Sequence, residues 1–91
     1  MLVTLSEMKS YLRVDSSGED DLIEQLITNA EAICKDVARL SDEEFVEQSA
    51  TTRIAVLYTV AYLYEHREEA DHSALMLTLR SLLFGVRKEG F

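Results

Sequence analysis

The 91-residue sequence contains no proline and no tryptophan, a single cysteine, three glycines, and nine Lys or Arg against seventeen Asp or Glu. Each shortage excludes something. Without proline, and with glycine only at Gly18, Gly85 and Gly90, little interrupts helix formation, so an all-α fold is expected. Cys34 is alone and cannot close an internal disulfide, which suits a reducing compartment. The formal net charge of −8 argues against a general nucleic-acid clamp, because such proteins neutralise phosphates with clustered cations. No apolar run approaches the roughly 20 residues of a membrane-spanning helix. The longest, Ile54 to Tyr64, is interrupted by Thr59 and reads as a buried helix. The opening MLVTLSEMK lacks the basic segment and long apolar stretch of a secretory signal, so none is expected.

The residues present describe a folded chain. With 47% hydrophobic and 29% charged residues, the composition is that of a globular protein, and the length predicts a single domain over 1–91. The last residues, 85–91, carry too little apolar surface to order themselves and are expected to form a flexible tail.

Hydrophobic spacing predicts about four helices. Thr4 and Glu7 have the form of a capping box and open a short helix to about Arg13, with Leu5, Met8 and Leu12 on one face. A polar loop follows, from Val14 to Gly18. The second helix has the clearest pattern: Leu22, Ile23, Leu26, Ile27, Ala30, Ile33, Cys34 and Val37 trace one helical face. Acids at its start and Lys35 and Arg39 at its end complement the helix dipole. Ser41 and Glu44 form a second capping-box pattern, predicting one long central helix from about Asp42 to Arg67. Asp71 or Ser73 is the expected cap of a last helix whose apolar face is Leu75, Met76, Leu79, Leu82, Leu83 and Val86, with Gly85 as its stop signal.

Sites for chemistry are sparse. His66 and His72 lie near Glu68, Glu69 and Asp71, but the spacing matches no HExxH or zinc-finger pattern. The acids from Asp15 to Asp21 lack the ligand order of an EF-hand. No phosphate-binding glycine loop and no GxSxG nucleophile motif occurs. Cys34 falls within an apolar face and reads as a small core side chain. Tyr58 and Tyr62 read as core or interface. Neither an enzyme, a cofactor nor a metal is expected.

Interaction surfaces are better supported. The central helix has one apolar stripe of Ile54, Leu57, Tyr58 and Ala61 and a second of Val56, Val60 and Leu63. Four helices cannot cover both, so the second stripe is expected to be an interface, together with Leu77 and Phe84, which fall off the face of the last helix. Arg67, just after Tyr64, is expected to pair with an acid across the fold or across a subunit boundary. Charge is segregated too. Asp15 to Glu47 holds eleven acids and two bases, whereas Ser73 to Phe91 holds three bases (Arg80, Arg87, Lys88) and one acid. An acidic side and a basic side permit self-assembly.

Three stretches in order resemble the small head–tail connector (adaptor) proteins of tailed bacteriophages and prophages. They are the opening VTLSEMKSYLRVDSSGEDDLIEQLITNAEAIC, the helix ending Leu63-Tyr64-Glu65-His66-Arg67-Glu68, and Leu82-Leu83 followed by Arg87. The resemblance implies a structural, non-enzymatic protein that forms a ring below the portal, extends the DNA channel and joins capsid to tail. The implied partners are other copies of itself in a ring matching the portal's symmetry, the portal protein, and a neck or tail-completion protein. DNA would pass through as cargo without sequence-specific contact, and no membrane is involved. The implied location is the virion neck, reached through assembly in the bacterial cytoplasm. The candidate subunit or portal interface comprises Val56, Val60, Leu63, Tyr64, Arg67, Leu77, Phe84 and Arg87. A different class, a small cytosolic helical regulator with one protein partner, also fits the acidity and the spare apolar surface.

Overall fold

The computed structural model describes residues 2–67 and 72–86. It contains five helices: α1 (Leu5–Leu12), α2 (Asp20–Ala38), α3 (Asp42–Glu47), α4 (Ser49–Glu65) and α5 (Ser73–Leu83). The protein is all-α, with no strand among the described residues. No described helix is long and apolar enough to cross a membrane.

Both predicted capping boxes are present. The Glu7 N–H donates to Thr4 Oγ1 at 3.1 Å while Glu7 Oε1 accepts from the Thr4 N–H at 3.2 Å. Ser41 and Glu44 repeat the exchange at 3.2 and 2.9 Å. Each box satisfies two N–H groups that a helix start otherwise leaves open. α1 and α2 each end on an arginine in the left-handed conformation, Arg13 at φ 61° and Arg39 at φ 57°. Glycine is the usual residue at such positions, since a Cβ there costs about 1–2 kcal/mol.

The single long central helix is corrected to two. The chain bends at Gln48 (φ −96°, ψ 28°). The Thr52 hydroxyl donates to Phe45 O at 2.9 Å and to Gln48 O at 3.1 Å. In an unbroken helix Phe45 O would accept from the Ser49 N–H; here a buried side chain supplies a donor at the bend. The break lets Phe45, only 3% exposed, turn into the core. The expected cap of the last helix is also corrected. Ser73 is already inside α5, and the capping position is His72, which makes no side-chain cap bond. Asp71 lies outside the described residues. The stop falls at Leu83 with Phe84 at the cap, ahead of Gly85.

α4 packs most extensively against α2, and α5 lies against both. α2 contributes Ile23, Ile27, Ala30, Cys34 and Ala38 to the core, and α5 contributes Leu75, Leu79 and Leu83. α4 buries Thr52, Ala55, Val56, Thr59 and Val60, which reverses the expected division of its stripes. Val56 and Val60 are fully buried, while Ile54 is 57% exposed and Leu57, Tyr58 and Ala61 are half-buried. Size explains the choice. Small residues on both helices permit close approach, as Cys34 and Thr59 demonstrate with Sγ and Oγ1 3.5 Å apart. The Thr59 hydroxyl is satisfied by Ala55 O at 2.7 Å, so its burial leaves no open donor.

Candidate interaction surfaces

The helices are pinned by contacts that consume charge. Lys9 of α1 meets Asp20 of α2 at 2.8 Å, Glu7 of α1 pairs with Arg53 of α4, and Lys35 of α2 meets Asp42 of α3 at 2.7 Å. The Lys35 contact holds the exposed Asp42 carboxyl below its ordinary pKa and the ammonium above its own. Near the N-terminus, the Leu2 N–H donates to Glu31 Oε2 at 2.9 Å.

The start of α2 is tied to the end of α4 in the same way. Glu19 occupies the capping position of α2 but makes no cap bond. Its carboxylate accepts instead from the Tyr64 hydroxyl at 2.5 Å and from Arg67 Nη1 at 3.1 Å. The Arg67 guanidinium lies 5.1 Å from the Tyr64 ring centroid, within cation–π range. The phenol pKa is raised, chiefly because its O–H donates to Glu19. Arg67 therefore pairs across the fold, one of the two outcomes expected, and Tyr64 acts within the subunit.

Beside this latch lies an open groove of about 500 Å³, lined by apolar Leu26, Ala32, Ile33 and Leu63 and by polar Asn29, His66, Arg67 and His72. The two histidines serve aromatic packing. His66 stacks on Tyr62 with centroids 4.1 Å apart, and its Nδ1 lies 2.9 Å from Tyr62 O. His72 meets the same ring edge-on at 6.0 Å. Among the described residues no group of His, Cys, Asp and Glu is arranged to hold a metal; Glu68, Glu69 and Asp71 lie outside them. Cys34 is fully buried, and desolvation raises its thiol pKa, which disfavours the reactive thiolate.

A second apolar surface lies on α5. Leu77 is 66% and Phe84 77% exposed. Seven residues apart, they fall on nearly the same side of the helix, opposite the buried Leu75, Leu79 and Leu83. Exposed Arg80 lies between them. The outer side of α2 is polar, with Asp21, Glu24, Gln25, Thr28 and Asn29 lining a shallow open surface.

The candidate interface residues thus separate into groups. Leu77 and Phe84 are exposed, Leu63 lines the groove, and Tyr64 and Arg67 form the latch at its edge. Arg87 lies outside the described residues. Val56 and Val60 are withdrawn from the interface, because α2 and α5 already cover that side of α4. Sequence reasoning missed the groove: Leu26 and Ile33 read as part of the one apolar face of α2, and Ala32 was not singled out. The position of Leu26 and Ile33 at the edge of the buried face was the available signal. It also missed the exposure of Ile54, which the large apolar residues around it disguised.

The protein-family comparison adds a finding that spans this whole architecture. A family model described as "Phage gp6-like head-tail connector protein" matches residues 2–89. No curated protein matches the chain. No solved structure matches it.

Proposed function

The chain belongs to the phage gp6-like head–tail connector family, and from that premise we propose that it is a structural connector that assembles as a ring below the portal of a tailed phage or prophage. The ring extends the DNA channel and offers a platform to the next neck or tail-completion protein. The observation that carries this reading is the family match over residues 2–89, which includes the latch, the groove and α5. The surface chemistry supports it. The acids on the outer side of α2 repel phosphate, which suits a wall past which DNA slides and not one that grips it. The exposed apolar residues provide contact area for neighbouring proteins. The protein works in the virion neck after assembly in the host cytoplasm, without a catalytic step or a cofactor.

The test is genetic and structural. Deleting the gene from an active phage should yield DNA-filled heads that fail to join tails, and the supplied protein should restore joining. The purified protein should bind purified portal and add a ring of density to it in electron micrographs. Normal virions from the deletion strain, or virions that lack the protein in their neck, would overturn the proposal.

A further inference from the structure

We propose that the groove between α2 and the end of α4 is a docking site for an amphipathic helix of a different protein. The partner helix lays an apolar stripe along α2 and presents Asp or Glu on the edge that faces Arg67. Its opposite edge, toward Asp21 and Glu24, carries Lys or Arg. The inference goes beyond the connector reading and does not depend on it, because it follows from the groove's own chemistry.

Three observations select this occupant. First, the groove's two sides differ. Leu26, Ala32 and Ile33 come from α2, whereas His66 and Arg67 come from the end of α4, with Leu63 one turn before them. A ligand that fits both sides is apolar on one flank and polar on the other. Second, the charges have opposite signs across it. No Asp or Glu lines the groove among the described residues, and Arg67 is its one formally charged lining residue there. Glu19 accepts from Arg67 Nη1, but a guanidinium has several N–H donors and this side chain is 52% exposed, so donors remain for a carboxylate. On the other side, Asn29 lines both the groove and the shallow surface that holds Asp21 and Glu24. Both acids are exposed and make no ion pair among the described residues. A partner with acid on one edge and base on the other is thereby favoured, and one with the edges exchanged is repelled twice. Third, the walls are helices whose backbone groups already bond within each helix, so they offer no row of free N–H and C=O groups to an extended strand. A helix laid in the groove needs none. Leu26 and Ile33 lie two helical turns apart, about 10 Å, which a partner helix of about three turns spans. The partner is a different protein because α5, whose outer stripe of Leu77 and Phe84 is this chain's most exposed, contains no Asp or Glu to meet Arg67.

The experiment uses a displayed library of short helical peptides with a fixed leucine stripe and both flanking edges randomised. It is selected on the full-length protein and counter-selected on Ala32→Glu, which places a carboxylate in the groove. Ala32 is exposed, so circular dichroism should report wild-type helicity. Asn29→Arg, at another exposed lining position, repeats the block if Ala32→Glu melts early. The selected peptides should share Asp or Glu on one edge and Lys or Arg on the other. A synthetic consensus peptide, followed by fluorescence anisotropy, should bind Ala32→Glu at least about tenfold more weakly than wild type. Changing its acid to the amide should weaken binding to wild type several-fold and leave binding to Arg67→Gln nearly unchanged, a coupling that a merely structural Arg67 would not produce. The proposal is overturned if no selected peptide is sensitive to the groove variants, if the edges show no charge preference or the reverse one, or if the acid and Arg67 are uncoupled. Sedimentation of the protein alone covers the remaining occupant. Self-association that Ala32→Glu abolishes would put a second copy in the groove and overturn the assignment to a different protein. The connector reading is decided separately, by the deletion phenotype and portal binding.

Discussion

α2 and α4 are each other's main packing partners, yet they follow different rules. α2 is amphipathic in the ordinary sense: Ile23, Ile27, Ala30, Cys34 and Ala38 are buried, and Asp21, Glu24, Thr28 and Asp36 on other sides are exposed. α4 has apolar residues around its whole circumference, and the side it buries includes two threonines, while Ile54 is 57% exposed. Hydrophobicity selects the buried face only where a helix has one apolar face. Where every face is apolar, the neighbour's shape selects it. Here α2 presents Ala30, Cys34 and Ala38 beside its two isoleucines, and the face of α4 that carries Thr52, Ala55 and Thr59 is the one that packs.

The comparison can be broken most forcefully at Val60. A carboxylate there would be buried without a partner, since Val60 has no exposed surface. Val60→Glu should therefore fail to fold, leaving little helical circular dichroism at neutral pH. A folded, soluble Val60→Glu protein would return that stripe to the surface. Ile27→Ala, on the regular face of α2, should cost about 2–5 kcal/mol in denaturant unfolding, since Ile27 is fully buried.

The threonines test whether the small-residue face depends on its hydroxyls. Thr52→Val removes the donor to Phe45 O and Gln48 O at the bend and should cost about 1–2 kcal/mol. An unchanged melting temperature would mean that the bend holds itself.

Smaller effects belong to the latch. Its acceptor is Glu19 and its ion pair is half-exposed, so Arg67→Ala should cost no more than about 1 kcal/mol. Tyr64 adds a pH signature. Its folded pKa is raised above the ordinary value near 10 because the neutral phenol donates to Glu19. The bond's contribution is therefore fully present below pH of about 10 and is lost as pH rises through the folded pKa. The stability difference between wild type and Tyr64→Phe, followed by chemical denaturation, should be constant near neutrality and shrink at high pH. A difference that persists unchanged into strong alkali would remove Glu19 as the cause. The smallest effect is expected at Ile54. Ile54→Ala should shift stability by no more than about 0.5 kcal/mol, although the same position in α2's pattern would be core.

The sequence by itself determined the all-α class, both capping boxes, the buried face of α2 and the outward position of Leu77 and Phe84. Each follows from residues within a few turns of one another, where side-chain spacing and local hydrogen bonding decide the outcome. The order of three local stretches was also enough to resemble the family that residues 2–89 match. Only the tertiary structure decided the bend at Gln48, the choice of buried face on α4, and the meeting of Glu19 with Tyr64 and Arg67, 45 and 48 residues away. It also formed the groove, whose walls come from different helices. These features depend on what lies opposite a residue, and helical periodicity carries no information about that. Thr59 looks like an interruption in an apolar run, but next to Cys34 it is one of the places where the two main helices come close.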